Sequence, residues 1–408
     1  MNVELQRKVD RVAGTFICRV LSLLPSARRQ PPADLKPQKI LVILLSEMGS
    51  LVLAQPMFER IKAKYPAASL YVLCFRQNKE VLDVLHVIPE DHILTVRNDS
   101  LSHFSKDSLR ALKETHRIGI DSVLDCELFS RVGSIFSFLS GAKIRVGFHP
   151  HTQEGLYRGN FVNRPVLYNP YQHISQQFLT LAEALESKQV PTVKRPVGPT
   201  SLVKLAIPPM SVDPDEVTSM AKRFQADFPQ MGGKKVVLLS PGGGLLPIRA
   251  WPIANFSRVA EELIRLDYAV GIIGLERDKA TAQAIVSHCK SANCLDLTGY
   301  TRTVRELMLL FHTASLLITN DGGPGHFASM TPIPAIVLFG PETPALYGSL
   351  DDKSVSLYTH LSCSPCLTAY NHRNSPCDGD NVCLKLIDPK DVLQKSLELL
   401  GQEEGVPN

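Results

Sequence analysis

The sequence lacks the features that mark several large protein classes. It contains no stretch of about eighteen apolar residues, so no membrane-spanning helix is expected. The formal net charge is only +4 over 408 residues, which argues against a general nucleic-acid-binding role. Neither a Walker phosphate-binding loop nor a GxGxxG fingerprint occurs. What is present is a globular composition, 44% hydrophobic, in a chain long enough for two domains of ordinary size.

Cysteine is scarce, and most of it falls in apolar surroundings. Nine cysteines in 408 residues are too few and too scattered for a secreted disulfide scaffold. Five lie in or beside apolar segments and are interpreted as small core residues: Cys18, Cys74, Cys126, Cys289 and Cys294. This usage fits the reducing cytoplasm.

The remaining four cysteines form a cluster near the carboxyl end. Cys363, Cys366, Cys377 and Cys383 have the spacing C-x2-C-x10-C-x5-C, and His360 and His372 are nearby alternative ligands. The first pair has zinc-knuckle spacing. A structural Zn or Fe site, a set of reduced thiols and a pair of disulfides all fit this pattern. A metal held by four thiolates would be structural, because no coordination position stays open.

Short apolar runs alternate with amphipathic segments through most of the chain. In the first half, residues 39–45, 69–75 and 122–125 have the composition of buried strands, and helical patterns follow them. In the second half, residues 235–239 and 268–273 repeat the arrangement. This alternation predicts α/β domains with doubly wound parallel sheets, which bind ligands beyond the carboxyl ends of their strands.

Prolines mark the expected boundary between two domains. They occur at positions 191, 196, 199, 208, 209 and 214, which argues against regular structure over most of that segment. We therefore predict a basic amphipathic N-terminal extension (1–36), a first α/β domain (37–190), a linker (191–214), a second α/β domain (215–400) with a Cys-rich loop (360–383), and a tail (401–408).

The N-terminal extension has the pattern of an amphipathic helix. Apolar residues recur at spacings of three and four between Leu5 and Leu24. Four basic residues share the segment: Arg7, Lys8, Arg11 and Arg19. A signal peptide is not indicated, because Arg19 interrupts the apolar part and acidic residues lie in the charged part. The helix is expected either to lie on an anionic membrane surface or to pack on the protein body or a partner subunit.

The most informative stretch runs from Leu316 to Gly348. An apolar run is followed by the glycine-rich turn 319–325 and then by the start of a helix at His326. A strand, a glycine-rich turn and a helix bring free backbone N–H groups to one place, which suits a phosphate or pyrophosphate. Glycines in the turn leave no Cβ in the way of an anion. Such a turn can also serve only to reverse the chain, so anion binding is a hypothesis.

This stretch carries a family resemblance. NDGGPGHFAS followed by PAIVLFGPETPALYG resembles the signature of glycosyltransferase family 9, the heptosyltransferase-like enzymes of bacterial surface-glycan assembly. The family usually has Ser or Thr where this chain has Gly322. KILVILLSEMGSLVLAQPMFERIKAKYP, GAKIRVGF and SPGGG with RAWP are similar too, so the resemblance covers roughly residues 38–395. It implies a GT-B fold, in which two Rossmann-like domains with doubly wound parallel sheets face each other across a cleft.

The resemblance assigns donor binding to the second domain. Arg249 stands near a basic residue that contacts the donor phosphate in the family. Glu276, with Asp278 as the alternative, stands near a carboxylate that binds the ribose. The full predicted set is Ser240, Gly242, Gly243, Arg249, Glu276, Asn320, Asp321, Gly322, Gly323 and His326. Backbone N–H groups, Arg249 and His326 would neutralise the leaving diphosphate without a metal.

The catalytic base is where this chain departs from the family. The family has an aspartate, held to be the general base, where this chain has Ser50, and a serine hydroxyl does not take a proton at neutral pH without help. Glu127 is the first alternative because it follows the strand 122–125, although it equally fits a helix-capping residue. Glu47, in the same turn as Ser50, and Asp125, at the end of the strand 122–125, are further alternatives. Arg131 and Arg145 are predicted to bind anionic groups of the acceptor.

The resemblance implies an inverting, metal-independent glycosyltransferase without a catalytic cofactor. It would move a sugar, a heptose in the family, from a nucleotide-diphosphate donor such as ADP-heptose to a lipopolysaccharide or other surface-glycan acceptor. Such an enzyme is expected in the cytoplasm, peripherally on the inner membrane. Because of Ser50 two alternatives stay open: a catalytically inactive nucleotide-sugar-binding or scaffold protein, and a nucleotide-sugar epimerase on the same fold.

Overall fold

The computed structural model describes residues 3–32, 34–45, 47–128, 130–149, 157–187, 193, 205, 207–244, 246–369 and 374–401. The chain forms two compact units. Unit 1 comprises Met1–Leu205 and Thr368–Asn374, and unit 2 comprises Ala206–Leu367 and Ser375–Asn408. Most of the predicted linker and nearly all of the predicted tail lie outside the described residues.

Unit 1 begins with a helical segment and continues as alternating strands and helices. The N-terminal segment comprises α1 (Val3–Val9), a π-helical turn (Asp10–Gly14), α2 (Thr15–Ser22) and a 3-10 turn (Pro25–Arg28). After it come β1 (Lys39–Ile43), α3 (Met48–Leu53), α4 (Gln55–Lys64), β2 (Ser69–Phe75), α5 (Lys79–Leu85), β3 (Ile93–Val96), α6 (Leu101–Ile118), β4 (Ser122–Asp125), α7 (Arg131–Leu139), β5 (Ile144–Phe148), β6 (Arg164–Val166) and α8 (Ile174–Ala184).

The strands of unit 1 form one parallel sheet in the order β3-β2-β1-β4-β5-β6. Residues Ile40 to Ile43 of β1 are completely buried, as expected for a strand covered by helices on both faces. The order is that of a Rossmann fold, and it reverses between β1 and β4. The loops after these two strands therefore leave the sheet side by side.

Unit 2 repeats the arrangement. Its elements are α9 (Pro214–Asp227), β7 (Val236–Ser240), α10 (Ile253–Arg265), β8 (Ala269–Gly274), α11 (Lys279–Cys289), β9 (Cys294–Thr298), α12 (Val304–Thr313), β10 (Leu316–Asn320), α13 (Gly323–Ala328), β11 (Ala335–Phe339), α14 (Pro344–Tyr347), β12 (Ser354–Tyr358), α15 (Val382–Lys385) and α16 (Pro389–Leu399). The parallel sheet has the order β12-β11-β10-β7-β8-β9, so its reversal lies between β7 and β10.

The predicted fold class, α/β with two Rossmann-like doubly wound parallel sheets, is confirmed. The helical pattern that follows the strand predicted over 39–45 is realised as two helices, α3 and α4, because the chain turns at Ala54 and Pro56 lies in the first turn of a new helix. Elements without a sequence prediction include α5, β6, α11, α14 and β12. None of the helices in the described part of the chain is both long and apolar enough to cross a membrane.

The predicted amphipathic N-terminal helix is present, and one of its faces packs on the body of unit 1. Gly14, Cys18 and Ser22 are buried on that face. Cys18 packs in a small apolar cluster with Ala27 and Phe161, and the Ser22 hydroxyl accepts a hydrogen bond from the main-chain N–H of Asn160 at 3.1 Å. Of the two sequence interpretations, packing on the protein body therefore holds for this face.

Candidate functional site

Most of the predicted site residues follow the strands that flank the two reversal points. In unit 1, Glu47 and Ser50 follow β1, and Glu127 follows β4. In unit 2, the glycine-rich turns 240–244 and 319–325 overlap the ends of β7 and β10. Ligands of open α/β sheets bind beyond the carboxyl ends of the strands at such points. Each unit therefore has one sheet edge whose position suits a ligand.

Asn320 joins the two glycine-rich turns of unit 2. Its side-chain amide donates to the carbonyl oxygens of Pro241 at 2.8 Å and Gly242 at 3.2 Å. Its side-chain oxygen accepts the main-chain N–H of Trp251 at 2.9 Å. The side chain is buried at the end of β10. These bonds fix the distance between the turns, so Asn320 positions them. The sequence alone could not distinguish this role from direct ligand binding.

The glycines of these turns have different surroundings. At Gly243 a Cβ would lie 2.9 Å from the carbonyl oxygen of Leu246, so only glycine fits without a main-chain shift. At Gly322 the backbone is extended, with φ 165° and ψ −171°, and a Cβ would have no neighbour closer than 3.9 Å. Gly243 is therefore required by close packing, whereas Gly322 leaves open space at the turn.

A buried charge cluster lies next to the second turn. The guanidinium of Arg249 is 3.5 Å from the carboxylate of Asp321 and 3.8 Å from that of Glu342. All three side chains are buried, as are Ser240 at the end of β7 and His326 in α13. Sequence reasoning missed Glu342, although its place directly after the apolar run of β11 was a usable signal. The cluster holds one cation beside the loops that carry the predicted phosphate-binding groups.

The two carboxylates considered for ribose binding differ in exposure. Asp278 accepts the main-chain N–H of Leu275 at 2.9 Å, and a Cβ on Gly242 would lie 3.3 Å from it. It thus stabilises the turn after β8 beside the first glycine turn. Glu276 is exposed after β8, with Lys279 at 3.4 Å. Of the two, Glu276 is the carboxylate that a ligand can reach without breaking a turn.

Glu127 bridges the loops after β4 and β1. Its carboxylate accepts the main-chain N–H of Leu45 at 2.5 Å, and the side chain is only 2% exposed. The Asn78 amide donates to the carbonyl of the same residue, Leu45, at 2.7 Å. Glu127 thus lies at the reversal point of unit 1, where the sequence predicted it, and fixes the loop that carries Glu47 and Ser50. These two residues lie at the start of α3 and are partly exposed.

Asp125 and Arg158 form a buried ion pair behind this edge. Arg158 donates to the carboxylate of Asp125 and, at 2.8 Å, to the carbonyl of Ser130. Burial raises the pKa of Asp125 to about 6, although the positive charge of Arg158 acts in the opposite direction. Gly133 belongs to the same site, because a Cβ there would collide with the Asp125 carboxylate. Sequence reasoning placed Asp125 correctly at a strand end but did not identify its partner.

Both arginines predicted to bind the acceptor contact the N-terminal segment. Arg131 donates through its main-chain N–H and its guanidinium to Asp10. Arg145 is buried, and its guanidinium donates to the carbonyls of Phe161, Ala142 and Ala27. Acceptor binding by either residue stays a prediction, and the contacts seen are structural.

None of the four clustered cysteines, all of them described residues, forms a disulfide bond, so the disulfide interpretation does not hold in this structure. Burial raises the pKa of Cys383, and the nearby Cys366, Cys363 and Cys377 raise that pKa further. Ser375 donates to the sulfur of Cys366 at 3.1 Å. Among the described residues, no three His, Cys, Asp or Glu side chains gather closely enough to hold a metal ion. His372 lies outside those residues.

Comparisons with known proteins agree on one family. The sequence matches the model of glycosyltransferase family 9 (heptosyltransferase) over residues 113–375. Lipooligosaccharide heptosyltransferase 2 of Haemophilus influenzae is 23% identical over 77% of this chain and 87% of its own length. Lipopolysaccharide heptosyltransferase 2 of Salmonella typhimurium is 23% identical over 90% of this chain and 100% of its own. The crystal structure of E. coli ADP-heptose lps heptosyltransferase II superposes with a TM-score of 0.67 at 20% identity, covering 90% of this chain and 100% of that one.

Proposed function

The chain belongs to glycosyltransferase family 9, the heptosyltransferase family, and from this we infer that it transfers a heptose from ADP-heptose to a lipopolysaccharide core acceptor. Membership makes it a glycosyltransferase. The donor, the acceptor and inversion at the anomeric carbon are our proposals. The names of its relatives support the first two, because they include ADP-heptose and lipopolysaccharide or lipooligosaccharide.

The observation that carries the donor proposal is the joining of the two glycine turns by Asn320. Main-chain N–H groups of the turns 240–244 and 319–325 suit a diphosphate, because they are fixed before the ligand arrives. Arg249 adds a positive charge beside the second turn. Together these groups would stabilise the negative charge that builds on the diphosphate as the bond to the sugar breaks. Glu276 would accept hydrogen bonds from the ribose hydroxyls.

Inverting transfer also needs a base to take the proton of the acceptor hydroxyl. We propose a carboxylate near the reversal point of unit 1. Glu47 is favoured by its partial exposure, since an acceptor can reach its side chain from solvent. Glu127 is the alternative, and it would have to be reached past its bond to Leu45. Ser50 then serves as a hydrogen-bonding group rather than as the base.

A lipid-borne acceptor would place the enzyme at the cytoplasmic face of the inner membrane as a peripheral protein. The acceptor reacts through its sugar, while the lipid stays in the bilayer. We propose that this chemistry proceeds without a metal, with main-chain N–H groups and Arg249 supplying the charge stabilisation.

The experiment that tests the donor is calorimetric titration of the purified protein with ADP, UDP, GDP and the matching sugar nucleotides. We expect selective binding of ADP and ADP-heptose. Transfer is then measured on isolated core oligosaccharide, with the product's anomeric configuration read by NMR. Binding without transfer would favour the second candidate, an inactive nucleotide-sugar-binding protein, which the serine at position 50 motivates. Absence of binding to every nucleotide would contradict the transferase proposal.

We propose in addition that the four clustered cysteines hold a structural Zn or Fe ion. The zinc-knuckle spacing of Cys363 and Cys366 supports this, and to bind one ion the four thiols would draw closer together than they stand in the described part of the chain. The ion would be bound by thiolates alone and would tie the loop 363–383 to α15. Metal analysis after anaerobic purification should give one ion per chain, and Cys363→Ser with Cys366→Ser should remove it. A metal-free protein of unchanged melting temperature would contradict this.

A further inference from the structure

The N-terminal helix carries an apolar stripe that unit 1 does not cover. Val12, Phe16, Val20 and Leu23 are 73%, 68%, 46% and 84% exposed. Their spacing of four, four and three residues places them on one face of the helix. Large apolar side chains usually stand singly on a protein surface, so a row of four needs an explanation.

The opposite face shows that the helix is firmly seated. Gly14, Cys18 and Ser22 are buried against unit 1. At Gly14 the approach is close, because a Cβ there would lie 3.0 Å from the side chain of Arg131. Asp10 is bound to the same arginine. Because the inner face of the helix is fixed on unit 1, the apolar stripe faces away from that unit.

Positive charge accompanies the stripe. Arg7, Lys8, Arg11 and Arg19 are all exposed. The carboxylate of Asp10, which lies among them in the sequence, is engaged by Arg131 and is turned toward the protein body. The outer side of the helix thus combines bulky apolar groups with basic groups. That is the composition of helices that lie in the interface of an anionic bilayer.

We propose that the outer face of the helix 5–24 docks on an anionic lipid surface. The apolar stripe enters the region between headgroups and acyl chains, and the basic residues bind the lipid phosphates. A second copy of the chain fits this surface less well, because a two-fold symmetric contact would bring the basic residues of both copies together. This proposal depends on the proposed function only in the purpose it gives to docking, which is to hold the enzyme near a lipid-borne acceptor.

The test is co-sedimentation of the full-length protein with vesicles of phosphatidylcholine and phosphatidylglycerol in equal parts. Vesicles of phosphatidylcholine alone serve as the lipid control. We expect binding to the mixed vesicles that weakens as salt is added. The double variant Phe16→Ser with Leu23→Ser should bind at least about tenfold more weakly. Arg11→Glu with Arg19→Glu should do the same through charge.

The matched control is Leu109→Ser. Leu109 is 70% exposed on α6 of the same unit and has exposed Lys106 and Arg110 beside it, but the other exposed large apolar residue of that helix is Leu101, eight positions away, so the apolar row is missing. We expect this variant to bind like the parent protein. Equal loss in the control, or vesicle binding unchanged by both double variants, would overturn the proposal. So would a dimer in solution that Phe16→Ser with Leu23→Ser converts to a monomer while vesicle binding is absent.

An activity measurement separates this proposal from the proposed function. With water-soluble core oligosaccharide, the double variants should transfer sugar as fast as the parent protein. With acceptor embedded in vesicles, they should be slower by about the factor lost in binding. Vesicle binding without any transfer would contradict the proposed function and leave the docking surface intact. Equal transfer by parent and variants on embedded acceptor would contradict the docking surface.

Discussion

The carboxylate of Asp10 accepts two hydrogen bonds from Arg131, one from the main-chain N–H and one from the guanidinium, each at 2.8 Å. The main-chain bond places a negative charge at the first residue of α7, where the helix dipole favours it. Both side chains are largely buried. Asp10 is therefore the anchor that ties the N-terminal segment to unit 1, across 121 positions of sequence.

Asp10→Asn should release this anchor. The charge-assisted bonds are weakened and Arg131 loses its counter-charge, so the free energy of unfolding should fall by about 1–3 kcal/mol. Limited proteolysis should then cut earlier within residues 1–36. The matched control is Asp83→Asn, which breaks an exposed pair with Lys79 in α5 and should cost less than about 0.5 kcal/mol. Equal proteolysis of the two variants would show that Asp10 is no anchor.

The buried amide of Asn320 supports a second prediction. Asn320→Ala leaves the main-chain N–H of Trp251 and two turn carbonyls without their partner, which should cost about 1–3 kcal/mol of stability. ADP affinity should fall as well, because the two turns lose their fixed spacing. Asn169→Ala, at an exposed turn of unit 1, is the control and should leave ADP affinity unchanged. Calorimetric titration provides the readout, and full ADP affinity in Asn320→Ala would contradict the positioning role.

The sequence predicted well where strands end, but it did not predict which side chains contact residues far away in the sequence. Strands β2 and β4 lie where the apolar runs placed them, because an apolar run is a local signal. The loops that follow them lie at the carboxyl edge of the sheet for the same reason. Arg131 and Arg145, by contrast, were assigned to the acceptor but contact residues 10 and 27, more than a hundred positions away. No local pattern encodes which arginine meets which distant carbonyl or carboxylate.

The contrast between two glycines gives a third prediction. Gly322→Ser should be accommodated, because the backbone is extended there and a Cβ would meet nothing closer than 3.9 Å. Stability should rise by about 0.4–1 kcal/mol through a less flexible unfolded chain. Gly243→Ala should instead displace the first turn, because its Cβ would lie 2.9 Å from the main chain at Leu246 and Pro247. ADP titration of both variants, with at least about tenfold weaker binding only for Gly243→Ala, checks the prediction. Weakened binding in both would mean that open space at Gly322 is itself needed.

A fourth prediction concerns pH. The pKa of Asp125 is raised by burial to about 6, so the folded protein holds this proton more tightly than the unfolded chain. Between about pH 4 and pH 6 the free energy of unfolding should therefore fall as pH rises, by at most about 3 kcal/mol from this group. Asp125→Asn removes this titrating group. The free energy of unfolding of the parent minus that of the variant should therefore be larger at about pH 4.5 than at about pH 7. A difference that grows with pH would show that the ion pair with Arg158 outweighs burial.

The catalytic base can be identified by a pair of matched variants. Glu127→Gln keeps an oxygen that accepts the main-chain N–H of Leu45 but removes the basic carboxylate. If Glu127 only positions the loop after β1, this variant should retain most of its turnover, whereas Glu127→Ala, which loses the bond, should lose both turnover and stability. Glu47→Gln should lower kcat by about 10²–10⁴-fold and leave donor affinity unchanged. The glutamine amide cannot take the proton from the acceptor sugar's hydroxyl, so the reaction loses its general base. The opposite ranking of the two glutamine variants would assign the base to Glu127. Unchanged turnover in both would exclude both carboxylates, and Ser50→Asp would then be the variant to examine for a gain in rate.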